Sequence, residues 1–248
     1  FLEVGRSGSV SMCQPIERTT KVMLDLENIV IYEDVPQRSD LWFKLRSGHL
    51  TASNFDRLIT PKTGKPSAQQ DDLIIELCCS CLRPDEITFE GNFHTDRGEA
   101  LEPEARELFA TLTGKAVKEV GFIRRKTAPI GCSPDGLVFE NLEDGLDLVI
   151  AGLEIKCPLS KHHARYLLDG VLPDKYKPQV HGSMAVTGLR AWYFLSYCPG
   201  LRPFLVKVKW DEYTDRIKAA LDEFGPKYLD AYTRIMPAIR PAVEGRAA

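Results

Sequence analysis

Three residues in two neighbouring stretches carry the chemistry needed to break a phosphodiester bond. Asp135 lies in Gly131-Cys-Ser-Pro-Asp-Gly-Leu137, and Glu154 and Lys156 lie in Gly152-Leu-Glu-Ile-Lys-Cys157. Asp144-Gly145 between them is a turn dipeptide, so the two stretches are expected to pair as antiparallel strands. Side chains alternate faces along a strand, which puts Glu154 and Lys156 on one side and turns Leu153 and Ile155 towards a core. Asp135 stands at the start of the strand Gly136–Phe139, so two carboxylates and an ammonium converge at one sheet edge. That donor set suits Mg²⁺, with Mn²⁺ able to substitute, because such ions keep several waters and share positions with a substrate phosphate. Asp135, Glu154 and the backbone carbonyl of Ile155 would bind the metal, which polarises phosphate and acidifies water. Lys156 as a base would need a depressed pKa, and two close carboxylates push it the other way. An orienting, charge-stabilising lysine fits better. Glu-x-Lys alone is common surface chemistry, and Ser-Pro-Asp-Gly alone is turn chemistry; their conjunction carries the reading.

The elements that must position these groups follow from periodicity. A helix is expected over Asp40–Arg46, with Leu41, Trp42 and Leu45 on one face and Arg46 near its end. Ser53, three residues before Asp56, reads as an N-cap whose free N–H groups could hold a phosphate. Helices over about 68–82 and 93–112 follow, the second ended by Gly114. Glu102 adjoins the apolar stripe of the second, while Glu99, Glu104 and Glu107 are placed in solvent. Val117–Phe122 is expected as a strand, and Arg124, Arg125 and Lys126 as a loop that is either solvated or DNA-facing. Ser160 would cap a short helix carrying Lys161, His162, His163 and Arg165. Adjacent histidines do not share a helix face, so metal ligation by that pair is rejected and a basic DNA-facing surface is retained. Another helix runs from Asp174 to Gly188 and carries Gln179. Trp192–Cys198 and Phe204–Trp210 read as a hairpin-like pair. A last helix from Asp211 is expected to break at Gly225-Pro226. The fold class is α/β, a mixed central β-sheet flanked by helices on both sides.

Composition sets the boundaries. A 44% hydrophobic share is enough for a sizeable core, and no apolar run nears the roughly 20 residues of a membrane helix. Net charge of −3 excludes a chain coated in cations but not a local basic channel. Seven cysteines without zinc spacing indicate reduced thiols and a cytoplasmic setting, with Cys78, Cys79 and Cys81 packed as apolar groups. Residues 1–11 read as a non-native leader, 12–39 as an N-terminal extension, 40–236 as a single domain and 237–248 as a frayed tail.

Pro134-Asp135 with Glu154-Ile155-Lys156 matches the PD-(D/E)xK nuclease pattern, which implies a restriction-endonuclease-like core. More narrowly, the chain resembles the phage lambda exonuclease (YqaJ-type viral recombinase) family. The resemblance rests on Trp42-Phe-Lys-Leu-Arg-Ser-Gly-His-Leu-Thr-Ala-Ser53, Arg97-Gly-Glu-Ala-Leu-Glu102 and Gln179-Val-His-Gly-Ser-Met184, which stand in the family's order. It implies that Glu102 serves the metal site and that Arg46 and Ser53 bind the 5′-phosphate of a DNA end, with Ser133 and Gln179 also on the DNA side. It further implies a Mg²⁺-dependent 5′-to-3′ exonuclease on double-stranded DNA, releasing mononucleotides and leaving a 3′ single strand. A ring-shaped homotrimer, a single-strand annealing protein as partner and the cytoplasm of a bacterial host complete the expectation. The rivals are a PD-(D/E)xK endonuclease and a non-catalytic DNA-binding accessory to recombination.

Overall fold

The computed structural model describes residues 24–84, 93–141 and 147–241. The expected turn at Asp144-Gly145, the leader at 1–11 and the tail beyond residue 241 lie outside the described residues. In chain order the elements are β1 (Ile29–Tyr32), α1 (Asp40–Arg46), β2 (Leu50–Thr51) and a 3-10 turn (Ala52–Arg57). Next come α2 (Gln70–Leu82), α3 (Phe93–Thr113), β3 (Ala116–Lys118), β4 (Phe122–Arg125), β5 (Ile130–Cys132) and β6 (Gly136–Asn141). Then follow β7 (Asp147–Lys156), α4 (Ser160–Asp169), a second 3-10 turn (Asp174–Tyr176) and α5 (Lys177–Thr187). The described elements end with β8 (Ala191–Ser196), β9 (Phe204–Lys209) and α6 (Glu212–Ile239).

The central sheet is mixed, with strand order β3-β6-β7-β8-β9. β6 and β7 are antiparallel, as expected, with Gly136 opposite Leu153. β7 and β8 are parallel, pairing Glu154 with Phe194 and Lys156 with Ser196. Parallel neighbours need a crossover of a dozen or more residues, and α4 and α5 supply it. Period-two alternation then divides two cores. Leu153, Ile155, Tyr193 and Leu195 pack on one face with Ala105 and Phe109 of α3. Trp192 and Phe194 pack on the other with Val180 and Met184 of α5 and Ile217 and Phe224 of α6. Gly152 is obligatory in this packing, since a Cβ there would lie 2.4 Å from the Trp192 ring. Among the described residues a second sheet, in order β1-β4-β5-β2, carries the chain from α1 to the start of β6.

Several local expectations are corrected. Val117–Phe122 is not one strand: β3 ends at Lys118 and β4 begins at Phe122, in a different sheet. The bend passes Gly121, where a Cβ would meet the Val35 carbonyl oxygen at 2.1 Å. Gly225-Pro226 does not break α6, because Leu221 and Phe224 before it and Tyr228, Ala231 and Met236 after it enter the same core. Tertiary burial outweighs the local break. Leu41, Leu112 and Cys79 are exposed rather than packed. His163 is fully buried between the Ser196 hydroxyl (2.8 Å) and the Arg202 carbonyl (2.9 Å), which leaves Lys161, His162 and Arg165 as the outer groups of α4. Ser160 is the first residue of α4 and not its cap; Leu159 holds the cap position.

Candidate active site

The β6–β7 register, continued by one residue beyond Gly136 and Leu153, sets Asp135 across from Glu154 on the face covered by α5. Asp135 is fastened at both backbone and side chain. Its N–H donates to the Leu153 carbonyl at 3.0 Å, and its Oδ2 accepts the Ile155 N–H at 2.5 Å. Glu154 is 2% exposed, and its Oε1 accepts from Lys156 Nζ and, at 2.6 Å, from Gln179 Nε2 on α5. Among the described residues no hydrogen bond engages Asp135 Oδ1 or Glu154 Oε2. Glu102 arrives from α3, on the far side of the sheet, held one helical turn on by Arg106 at 2.7 Å. Arg106 also donates to the Asp135 carbonyl at 3.0 Å and to Glu119 at 2.6 Å, so it ties the helix to the strand start.

Burial is the main cause of the electrostatics here. It raises the pKa of Glu154 to about 8 and that of Glu102 to about 7, with Asp135 adding repulsion to both. The Asp135 carboxyl is raised by burial too, against the pull of Lys156. Burial works against the charge of Lys156, but Glu154 and Asp135 outweigh it and raise its pKa. Lys156 therefore stays an ammonium, its Nζ 5.6 Å from the centre of the Tyr176 ring. Among the described residues no three His, Cys, Asp or Glu side chains form a ready-made metal cage. What fits a hard divalent cation is the sparser set of Asp135 and the buried Glu154, each with one oxygen unengaged among the described residues and each still disfavoured as an anion despite Lys156.

The same cavity, about 380 Å³, is lined at another point by Arg46, Ser53 and Ser133, together with Asp135, Glu154, Lys156 and Gln179. Arg46 donates to Ser133 Oγ at 2.9 Å and to Thr51 Oγ1 at 3.2 Å, and it stacks 4.1 Å above the Trp42 ring. Burial lowers its pKa to about 10, and among the described residues it has no carboxylate partner. Ser53 is not an N-cap. It sits inside the 3-10 turn, whose cap position is Thr51, and its Oγ lies 3.1 Å from Thr51 Oγ1. A six-residue 3-10 turn offers no helix-end anion site, so any phosphate contact from Ser53 rests on its hydroxyl.

Arg124, Arg125 and Lys126 are committed elsewhere. Arg125 bonds Asp222 and the Ala185 carbonyl, Arg124 bonds the Tyr32 hydroxyl, and Lys126 bonds the carbonyls of Leu26 and Glu27. Glu99 is exposed, as expected, and from the cavity wall it pairs with Arg38. Gln37 and Arg38 lie in the stretch read as an extension, yet both line the site. Trp42 is more than a core residue, since its Nε1–H bridges the Gly121 carbonyl (2.8 Å) and Ser133 Oγ (3.1 Å). The i,i+4 spacing of Glu102 and Arg106 was a legible signal for that pair; no local pattern marked Gln37 or Trp42.

A mixed sheet enclosed by helices, with paired carboxylates and a lysine on its inner strands, is the architecture of restriction-endonuclease-like nucleases. Residues 41–190 match the family model of the YqaJ-like viral recombinase domain, and the chain belongs to that family. An alkaline exonuclease from Laribacter hongkongensis is similar at 30% identity and a TM-score of 0.61, over 81% of this chain and 100% of that one. Its complex with dAMP matches at 29% identity and a TM-score of 0.62 over the same shares. A phage-related exonuclease from Haemophilus somnus 129PT, at 18% identity and a TM-score of 0.53 over 75% of this chain and 96% of that one, shares the fold. Comparison with curated protein sequences gave no match. Among the described residues no helix is long and apolar enough to cross a membrane.

Proposed function

We propose that the chain is a Mg²⁺-dependent exonuclease that degrades double-stranded DNA from 5′-phosphorylated ends in the 5′-to-3′ direction. It would release mononucleotides and leave a 3′ single strand for recombination by strand annealing. The observation that supports end-directed attack is Arg46: a half-buried guanidinium that faces the same cavity as the carboxylates and, among the described residues, has hydroxyls and the Trp42 ring as partners but no carboxylate. A cation withdrawn from water without an anion is costly, and a terminal phosphate supplies the missing charge.

Asp135, Glu154 and the Ile155 carbonyl would hold Mg²⁺, with Glu102 serving the site directly or through water. When bound, the cation would polarise the scissile phosphate and make water more acidic. Gln179 fixes the Glu154 carboxylate, and the Asp135 carboxylate is fixed by the Ile155 N–H. Lys156, an ammonium held by Glu154, orients the attacking water and stabilises charge growing on phosphate rather than taking a proton. Arg46, Ser133 and Ser53 anchor the 5′-phosphate and so set which bond reaches the carboxylates. The family resemblance extends the proposal to a homotrimeric ring around the duplex and an annealing protein as partner.

The test is digestion of a linear duplex labelled at either end, with 5′-phosphate or 5′-hydroxyl termini, with and without Mg²⁺, beside a covalently closed circle. The reading requires Mg²⁺-dependent loss from the 5′ end, faster with the phosphate, and an intact circle. A cut circle would favour the endonuclease, and no Mg²⁺-dependent release of nucleotides would leave only DNA binding.

A further inference from the structure

Three cations line the cavity, and they differ in how they are held. Arg46 is half-buried and bonded to Ser133 and Thr51, and Lys156 is bonded to the buried Glu154. Arg38 pairs with Glu99 at 3.0 Å, and both side chains are open to water, at 38% and 50% exposure. An exposed pair of this kind contributes little and is screened by salt. Arg38 is thus the lining cation that can change partner at least cost.

Its backbone is unusual in the opposite sense. Among the described residues Arg38 is the one non-glycine residue with positive φ, at 69°. A residue with a Cβ is disfavoured there, whereas glycine or asparagine is at home. The segment around it is fastened to the catalytic strand. Gln37 Nε2 donates to the carbonyls of Val120 and Pro134, both at 2.9 Å, and the Val35 carbonyl sits against Gly121, where no Cβ fits. Ser39, next in sequence, caps α1, the helix that carries Arg46. The root of Arg38 is rigid, and its tip is held by an exposed ion pair. Strain of this kind persists where the surrounding structure over-determines it, characteristically at ligand sites. Arg38 lines the cavity together with Asp135, Glu154 and Lys156, which places it near the acidic groups.

We infer that Arg38 is a DNA ligand: its guanidinium exchanges the Glu99 carboxylate for a backbone phosphate of the strand lying in the cavity. This rests on the nuclease reading above. The exchange is chemically matched, because guanidinium binds phosphate and carboxylate with the same bidentate fork. It also answers a local need. Asp135, Glu154, Glu102 and Glu99 would repel a phosphate; Lys156 is held by Glu154, and Arg46 is assigned to the 5′-terminal phosphate, so a second phosphate of the strand calls on Arg38. Glu99 then acts as a stand-in that keeps the arginine in place between substrates.

The test uses Arg38→Asn and Arg38→Gly, which remove the charge while keeping a residue suited to the left-handed backbone. Binding of a short 5′-phosphorylated duplex is measured by fluorescence anisotropy in EDTA across a salt series, with Mg²⁺-dependent digestion and melting temperature measured in parallel. Both variants are expected to bind about tenfold more weakly, the loss of one charge-assisted contact. The slope of log affinity against log salt should fall by about one, and KM should rise more than kcat falls. Melting temperature should be unchanged or higher. Arg38→Lys should recover part of the affinity, and Glu99→Gln should tighten binding by freeing the arginine. Wild-type affinity and salt slope in both variants would overturn the assignment, as would weaker binding that appears only together with a lower melting temperature. If the wild type fails to digest DNA while these binding changes hold, the nuclease reading falls and the Arg38 assignment stands. Digestion by the wild type with unaltered binding in the variants does the reverse.

Discussion

At one point on the cavity wall, the buried Glu154 and the half-buried Asp135 are pushed upward in pKa, Glu154 to about 8, because loss of solvent disfavours their charge. At another, the half-buried guanidinium of Arg46 is pulled down to about 10 for the same reason. Each region carries more of one sign than its neighbours neutralise. Lys156 answers part of the acidic surplus; among the described residues Arg46 meets hydroxyls and the face of the Trp42 ring, which attract a cation but bring no counter-charge. Interiors that serve stability alone avoid such imbalance, since an unpaired buried charge costs several kcal/mol. The comparison teaches that the cavity is complementary to a ligand with two poles: a cation at the carboxylates and an anion at the arginine. Mg²⁺ and a 5′-phosphorylated strand are such a pair.

The most severe break in that comparison is at the acidic pole. Asp135→Asn and Glu154→Gln each remove one negative charge from a two-carboxylate donor set. A bound cation supplies several kcal/mol of transition-state stabilisation, so cleavage should fall by more than about 10³-fold. Duplex binding should persist, and the rise in melting temperature that Mg²⁺ gives the wild type should disappear. Calorimetry and melting curves with and without Mg²⁺ check this; near-normal Mg²⁺-dependent cleavage in either variant would remove that residue from the role.

A smaller effect is expected at Lys156. Lys156→Ala should keep Mg²⁺ binding and lose about 10²–10³-fold in kcat, the range for one preorganised electrostatic donor. Lys156→Arg should rescue little, because a planar guanidinium does not reproduce a compact ammonium. Loss of metal affinity in Lys156→Ala would show that the lysine organises the carboxylates instead.

The smallest change comes at the opposite pole. Arg46→Met keeps the stacking length over Trp42 and removes the charge. It should reduce the advantage of 5′-phosphate over 5′-hydroxyl ends by roughly ten- to a hundred-fold. Stability should stay within about 1–2 kcal/mol of wild type, since the lost hydrogen bonds are offset by relief of a buried charge. Rates on the two kinds of end, compared in wild type and variant, decide it. An undiminished phosphate preference would detach Arg46 from end recognition.

How much of this was legible in the sequence follows the range of the contacts involved. Asp135, Glu154 and Lys156 could be placed on a shared face because strand alternation and a nearby turn are local signals. Gln179 could be placed on a helix but not against Glu154, since that contact depends on the crossover that makes β7 and β8 parallel. The division of Val117–Phe122 between two sheets was hidden because the bend at Gly121 is dictated by the Val35 carbonyl, far off in sequence. Ser53 has the residue type and spacing of a cap, and the 3-10 turn that begins one residue earlier overrides both. Gly225-Pro226 is a strong local stop signal that loses to the apolar face running the length of α6. Gln37 and Arg38 carried no periodicity at all, and only the assembled cavity shows their use.

The two poles also differ in how far apart in the chain their parts lie. The acidic pole is joined by contacts spanning 20 residues (Asp135 to Ile155) and 25 residues (Glu154 to Gln179). The basic pole needs Trp42 to find Gly121, 79 residues on, and Arg46 to find Ser133, 87 residues on. Closing the longer loops costs only slightly more free energy, but non-local contacts form later in folding. The order of assembly is therefore built into the topology: amides of the β6–β7 pair should gain protection from hydrogen exchange before those of α1 during refolding. A chain emerging along that route assembles its carboxylates before the Arg46 cluster, and on the proposed function selectivity for DNA ends would be the last property it acquires.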